Sequence, residues 1–334
     1  MRGVNIDNWL SQNDAGMPYA AAWFTEEDVV WIASRGFDHI RFPIDSRIWL
    51  KADGTLDEAK VAPFDKALVW VRKHGLGAIL DVHFLEGADF NTDAASDVRV
   101  FTDPALMDKA ANLWRTLAKR YAKEGEYLRF EVLNEPKAEK NSQLNVFNLR
   151  MLAAIRETNP ARMVYLPCNK WNTIPNVVDL ELPANDPYVA VTVHFYEPLV
   201  FTHQKASWVF PGGDRMPAVP FPGKVPDLAG FVPADNPAFR NLPATLSAGQ
   251  DIDPMFERLA EWARTKAAGR EILLGEFGVF SQADPQSTVN WTRAVRRACE
   301  RHGFGWTVWG YKSDFPVRHK NGSPAPMLEG LMRD

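Results

Sequence analysis

Leu128-Arg129-Phe130-Glu131-Val132-Leu133 is a short strand-like run that breaks at once into Asn134-Glu135-Pro136, and from Asn141 to Asn159 the apolar spacing changes to the three-and-four rhythm of a helix. A run of period two, polar and proline punctuation, then an amphipathic helix make one βα unit. The same unit recurs outward in both directions. Strand-like runs are Arg2–Ile6, His39–Phe42, Ala78–Val82, Met163–Leu166, Val189–Val193, Ile272–Leu274 and Gly305–Val308. Helical patterns fall at Thr25–Arg35, Asp57–His74, Pro104–Glu124, Pro254–Ala268 and Pro285–His302, the first opened by a Thr cap with Asp28 three residues on. Eight runs joined by crossover helices imply parallel strands that close on themselves, so the expected fold is α/β, a (β/α)8 TIM barrel. The connection after the fifth run is short and rich in Asn and Pro, and its helix is expected to be a turn or two.

The segment from Glu197 to Asp253 breaks the rhythm with many prolines and glycines, Trp208 and several Phe residues. Irregular stretches of that length on a compact domain are usually functional, so it is read as an elaborated loop after the sixth strand, walling a cleft. The alternative, a packed surface excursion without a ligand role, stays open at this point. Residues 1–334 are expected to form a single catalytic barrel domain, with 197–253 as its cleft-side loop, since barrels of this length are common once loops are counted.

A net charge of −4, with 38 Lys and Arg scattered among 42 Asp and Glu, offers no basic stripe for a phosphate backbone, and nucleic acid is not expected as a partner. No window approaches the roughly 18 consecutive apolar residues needed to span a bilayer, so no membrane partner is expected either. The N-terminus lacks a secretory signature, and Met1-Arg2-Gly3 runs almost directly into a strand. Localisation is therefore open between a secreted or periplasmic protein whose leader was removed and a cytoplasmic one. The two cysteines, Cys168 at a strand end and Cys299 on a late helix, are read as packed free thiols. Twelve Trp and twenty Phe exceed what a minimal core needs, and aromatic faces in a groove grip sugar rings through C–H contacts. Trp31, Trp70, Trp114 and Trp262 sit at helical spacings among apolar neighbours and are read as core.

Barrel enzymes carry their chemistry on residues just past the C-terminal ends of the strands. Here those are Asn8, Arg41, His83, Asn134, Glu135, His194, Tyr196, Glu276 and Trp309. Two carboxylates facing one cavity across a barrel mouth are what glycosidic cleavage needs, one to protonate the leaving oxygen and one to attack the anomeric carbon. Glu135 and Glu276 are the candidates. Ionised Glu276 raises the pKa of Glu135 and keeps it an acid; once Glu276 is esterified that charge is gone, and Glu135 acts as base. Arg41 and the Tyr196 hydroxyl are expected to supply donors to Glu276, Asn134 an amide to the sugar 2-OH, His83 and His194 hydrogen bonds to substrate or acid, and Trp309 a floor for the reacting sugar. Each residue alone has a bland reading as a cap, an ion pair or core; so many polar groups desolvated in one mouth do not.

At these positions the chain resembles glycoside hydrolase family 5, the large cellulase family of barrel hydrolases with glutamates on strands four and seven. The motifs are Ile-Arg-Phe-Pro at 40–43, Leu-Asp-Val-His at 80–83, Leu-Asn-Glu-Pro at 133–136, His-Phe-Tyr at 194–196, Gly-Glu-Phe-Gly at 275–278 and Trp309. The resemblance implies a retaining enzyme with Glu135 as acid/base, Glu276 as nucleophile, and Arg41, His83, Asn134, His194, Tyr196 and Trp309 completing the site. Tyr196 to Gln204 followed by Ser207-Trp208 is similar to a bacterial branch containing endoglucanases, some of which also accept mannan. His83 is followed by Phe84 where many members carry a second histidine, and Asn8-Trp9 stand where some relatives place a substrate-binding Asn. Trp171, Trp208 and Phe84 are the candidates for choosing among glucan, mannan and xylan.

The expected function is thus endo-acting hydrolysis of a β-1,4-linked or mixed-linkage glucan, by a monomer acting on a polysaccharide or oligosaccharide without cofactor or metal. A β-mannanase or exo-β-glucosidase of the same family is the alternative. From other classes, a non-catalytic polysaccharide-binding protein would keep the groove without turnover, which both glutamates argue against. A zinc hydrolase using His83, His194 or His203 lacks the ligand spacing such sites need. A serine hydrolase lacks a Gly-x-Ser-x-Gly elbow.

Overall fold

In the computed structural model, which describes residues 1–12, 23–90, 97–210, 212–232, 242–267 and 269–332, strand and helix alternate as the periodicity implies. The barrel strands are β1 (Arg2–Asn5), β2 (His39–Asp45), β3 (Gly77–Phe84), β4 (Leu128–Glu131), β5 (Val164–Pro167), β6 (Val189–His194), β7 (Ile272–Glu276) and β8 (Gly305–Val308). All neighbouring pairs are parallel, and β1 pairs with both β2 and β8, closing the sheet. The fold is a (β/α)8 TIM barrel. Around it lie α1 (Glu26–Ser34), α2 (Glu58–Lys73), α3 (Pro104–Arg120), α4 (Asn141–Arg156), α5 (Asp253–Lys266), α6 (Pro285–Arg301) and α7 (Pro326–Leu331).

The helix starts are written locally. Thr25 and Asp28 form a reciprocal capping pair, the Thr25 amide donating to Asp28 Oδ2 at 2.9 Å. Asp103 and Asp284 accept from backbone amides of the first turns of α3 and α6, at 2.8 Å in each case, and each precedes a proline whose missing N–H costs nothing at the first helical position. After β5 there is no long helix, only a tight turn at Asn169–Asn172 and a 3-10 segment at Ile174–Asp179, as the Asn/Pro-rich connection implied.

Alternation along the strands sorts the side chains. Ile40, Phe42 and Ile44 of β2, Ala78, Leu80 and Val82 of β3, and Val189, Val191 and Val193 of β6 join the large core between sheet and helices. Their sequence neighbours turn inward. At the N-terminal end of the barrel Ile79, Tyr165, Ala190 and Leu273 form a separate apolar plug beside Met1 and Met163; higher up, the inward positions are polar. Trp114 and Trp262 are buried and Trp31 and Trp70 pack against the core, as the helical spacing implied. At roughly 150–250 Å² and about 25 cal/mol per Å² each, such rings anchor helices to the sheet by several kcal/mol. Cys168 and Cys299 are buried free thiols.

The connection between β6 and α5 is irregular but packed. It holds a helical turn at Leu199–Thr202, a two-residue antiparallel ribbon pairing Gly223–Lys224 with Thr245–Leu246, and a π-turn at Ala248–Ile252. Phe201, Phe210, Met216, Val219, Phe221 and Leu246 bury their side chains, and the Gln204 amide bonds both backbone groups of Val219. Among the described residues no helix is long and apolar enough to cross a membrane.

Candidate active site

Arg41 lies on the inward face of β2, fully buried, and every N–H of its guanidinium has a partner. Nε and Nη2 donate to the two oxygens of Glu131 at 2.7 and 3.0 Å; Nη1 donates to Asn5 Oδ1 at 2.9 Å and Glu276 Oε1 at 2.8 Å; Nη2 also donates to Asn134 Oδ1 at 2.9 Å. Asp81 Oδ2 stands 3.0 Å from Nη2. One cation on β2 therefore organises groups from four other strands. A buried arginine in such a fork is tolerable only because its charge is matched, and here it is over-matched. Burial, only partly offset by Arg41, pushes Asp81 and Glu131 each up to about 7.

Glu276, the last residue of β7, receives Arg41 on one oxygen and the Tyr196 hydroxyl on the other, at 3.0 Å. Glu135 follows β4 and reaches the same space. His194 Nδ1 lies 2.8 Å from Glu135 Oε1 and 3.6 Å from Glu276 Oε2. Carboxylate oxygens of Glu135 and Glu276 come within 4.8 Å of each other. Their side chains keep 14% and 5% exposure, so Glu135 is the more open of the two and Glu276 the more buried. Burial and then the charge of Glu276 hold Glu135 well above the usual carboxylate range. Burial also raises Glu276, but Arg41 and the Tyr196 bond oppose it. The donors are thus asymmetric: the cation and the phenol serve Glu276, and Glu135 has His194, which burial and Arg41 keep neutral.

The remaining sequence candidates divide into those that join this cluster and those that do not. His83 Nδ1 sits 2.8 Å from Asp81 Oδ2, and its ring stacks on Trp309 with centroids 5.4 Å apart and planes 8° from parallel. Burial holds His83 down to about 3, so it is neutral. Asn134 has its oxygen committed to Arg41, while Nδ2 has no hydrogen-bond partner among the described residues; a buried donor of that kind is left for a ligand. Trp171 and Trp208 are 37% and 55% exposed. Trp171 Nε1 donates to Phe90 O at 2.9 Å, and Trp208 packs edge-on against Phe280. Phe84 is buried against Phe90 beneath the Arg47 guanidinium. Asn8, with φ of 53°, is exposed and stands apart from the Arg41 cluster, and Trp9 packs into the core against Phe24 and Phe42.

Four buried polar residues that sequence reading passed over complete the arrangement: Asn5, Asp7, Asp81 and Glu131. Asn5 Nδ2 donates to Gly275 O and Val308 O, tying β1 to β8 beside it and to β7 beyond. Asp7 accepts from the Tyr311 amide at 2.9 Å and from the Ser313 hydroxyl, fixing the loop that carries Trp309; a Cβ on Gly310 would meet its carboxylate at 2.2 Å. Burial pushes Asp7 up to about 7. A signal was present: Asp81 is two residues before His83, hence on the same face of β3, and a charge inside an apolar run needs a buried partner.

Among the described residues one group of donors converges closely enough for a metal ion, namely Glu135, His194 and Glu276; His83 and His203 do not belong to it. A depression of about 360 Å³ lined by Met1, His39, Arg72, Tyr127 and Arg129 lies at the opposite, N-terminal end of the barrel, where none of these groups reach.

Residues 5–314 match the family model for Cellulase (glycosyl hydrolase family 5). Endoglucanase C of Acetivibrio thermocellus is 32% identical over 337 residues, covering 96% of this chain and 94% of its own. The cellulose synthase subunit Z of Clostridioides difficile superposes with a TM-score of 0.80 at 25% identity over 99% of both chains. Cel5A of Thermotoga maritima, solved with cellobiose, gives 0.78 at 25% identity over 99% of this chain and 97% of its own. With a match that spans nearly the whole barrel, the chain belongs to the cellulases of glycosyl hydrolase family 5.

Proposed function

We propose that this protein is a retaining endo-β-1,4-glucanase in which Glu276 attacks the anomeric carbon and Glu135 first protonates the leaving oxygen, then activates water. The observation that carries the reading is the unequal wiring of two carboxylates less than 5 Å apart, a separation suited to direct covalent attack rather than to an interposed water. Glu276 has Arg41 and Tyr196 to stabilise its anion; Glu135 is held protonated by burial and by Glu276 itself. When the glycosyl ester forms, the charge on Glu276 disappears, the pKa of Glu135 falls, and the same residue serves as base. The free Asn134 Nδ2 is the donor for the sugar 2-OH, a bond that tightens towards the oxocarbenium-like transition state. Trp309, stiffened by its stack on His83, floors the subsite of the reacting sugar.

The chain acts as a single catalytic barrel domain and as a monomer, without nucleic acid as a partner; the relatives named endoglucanase, Endoglucanase C among them, support polymeric β-1,4-glucan as substrate. Exposed Trp171 and Trp208 fit a cleft that grips a long glycan at several rings. The test is hydrolysis of carboxymethyl-cellulose, barley β-glucan, glucomannan and xylan with product sizing. Rapid loss of chain length on the glucans is expected. Release of single glucose units from chain ends would replace endo action by exo action, and faster turnover of mannan would replace the substrate. Glu276→Ala should abolish hydrolysis while leaving glycan binding; a wild type inert on every glycan would favour a binding role.

A further inference from the structure

Lys170, Trp171 and Asn172 occupy three consecutive left-handed conformations, with φ of 52°, 58° and 56°. Left-handed backbone is disfavoured for any residue with a Cβ and rare for a bulky aromatic; three in succession persist only when surrounding structure over-determines them, and such strain gathers at functional sites. This turn directly follows β5, and its partners belong to the segment carrying Glu135. The Trp171 amide donates to Pro136 O at 3.2 Å, Lys170 Nζ to Ala138 O at 2.8 Å, and Asn169 Nδ2 to the same Ala138 O at 3.0 Å. The Glu135 segment has need of such support. Strand β4 ends at Glu131, residues 132–138 form no helix or strand, and Pro136 has no N–H to donate. The turn itself is held by Asn172, which is fully buried and accepts the Cys168 amide on Oδ1 at 2.9 Å. The turn also exposes Trp171, whose indole is fixed to Phe90 O and lies 5.1 Å from the Lys137 ammonium.

We propose that the Lys170–Asn172 turn, pinned by the Asn172 side chain, is a positioning element for acid catalysis, setting the Glu135 segment and the Trp171 platform as one unit on the leaving-group side of the cleft. Asn172 touches no substrate; it acts through the backbone of residues 136 to 138. The inference rests on Glu135 being the acid, and it adds that the placement of this acid is encoded on the neighbouring strand. Loosening the turn therefore withdraws proton donation while leaving the attack by Glu276 intact. The consequence is selective: substrates that need a proton on the leaving group suffer, and those that do not are spared.

The experiment compares kcat/KM on phenyl β-cellobioside, a poor leaving group, and 2,4-dinitrophenyl β-cellobioside, a good one, for wild type, Asn172→Gly, Lys170→Met and Glu135→Gln. Glycine accepts the left-handed backbone and removes only the pin, so Asn172→Gly is the variant expected to fold; Lys170→Met removes one clamp with no demand on the backbone. Asn172→Gly should lose at least tenfold more on the phenyl than on the dinitrophenyl glycoside, Lys170→Met about threefold more, and Asn172→Asp, which keeps the acceptor, should recover most of the loss. Equal losses on both substrates in Asn172→Gly and Lys170→Met, with Glu135→Gln still discriminating between them, would overturn the proposal and leave Glu135 as the acid. If Glu135→Gln itself fails to discriminate, the assignment of the acid falls, and this inference with it.

Discussion

Replacing Arg41 by Met leaves Asp81, Glu131 and Glu276 without the cation that stands 3.0, 2.7 and 2.8 Å from them, all at 5% side-chain exposure or less. Removing one partner of a buried ion pair costs about 3–5 kcal/mol, because the other charge stays buried and uncompensated. Here the carboxylates have a way out: they take up protons. Asp81 and Glu131 already titrate at about 7, Arg41 is what holds them that low, and without it they rise further. A carboxylate whose folded pKa exceeds its unfolded value favours the folded state at low pH and loses that contribution as pH climbs from its unfolded pKa through its folded one. The variant should therefore lose about 3–5 kcal/mol at pH 8 and less than half of that at pH 5. At roughly 2.1 cal/mol/K per residue, the pH 8 loss amounts to about 4–7 °C in Tm for a chain of this size. Paired calorimetric scans of wild type and Arg41→Met at the two pH values, at fixed ionic strength, provide the measurement. A loss that is the same at both, or below about 1 kcal/mol at pH 8, would show that Arg41 is not the counter-charge of this cluster.

Tyr196→Phe removes a hydrogen bond to an ionised carboxylate, a loss of roughly 1.5–3 kcal/mol or about 10- to 150-fold in kcat/KM; since that bond lowers the pKa of Glu276, its removal should move the acidic limb of the pH–kcat/KM profile upward, and a limb that stays put speaks against the contact. Asp7→Asn keeps the shape and an acceptor for the Tyr311 amide but removes a carboxylate that burial has pushed from 3.8 to about 7. Ionisation of Asp7 works against folding between those values, so the variant should match wild type near pH 4 and exceed it above pH 7, by at most about 4 kcal/mol; a variant less stable at pH 8 would mean that the ionised carboxylate is needed to hold the loop.

Strand runs such as Ala78–Val82 and Val189–Val193 were legible because both faces of a barrel strand alternate at period two and the outer face must be apolar, and the caps at Thr25, Asp103 and Asp284 are local chemistry. The groups at the strand ends were legible for the same reason, since polar residues directly after apolar runs stand out. Asp81 and Glu131 lie inside such runs rather than after them, so only the charge itself marked them, and the residue that makes their burial tolerable, Arg41, is 40 and 90 positions away. Asp7 was hidden behind Asn8: the strand ends at Asn5, the chain turns left-handed at Asn8, and it is Asp7 that faces inward to receive Tyr311. The strain at Lys170–Asn172 gave little signal, since none of its three residues is glycine and its contacts to Pro136 and Ala138 belong to another strand's loop.

Incubation with 2,4-dinitrophenyl 2-deoxy-2-fluoro-β-cellobioside, followed by proteolysis and mass spectrometry, reads out which side chain bonds to sugar. The fluorine slows both steps by destabilising their oxocarbenium-like transition states, and the dinitrophenolate leaving group restores only the first, so the ester accumulates; one fluorocellobiosyl group per chain, on the peptide containing Glu276 and on that residue, is the expected result, with a first-formed β-anomer seen by proton NMR on the natural substrate. A label on Glu135, or a first-formed α-anomer with no label anywhere, would contradict the assignment of nucleophile and acid made from the positions of Arg41, Tyr196 and His194.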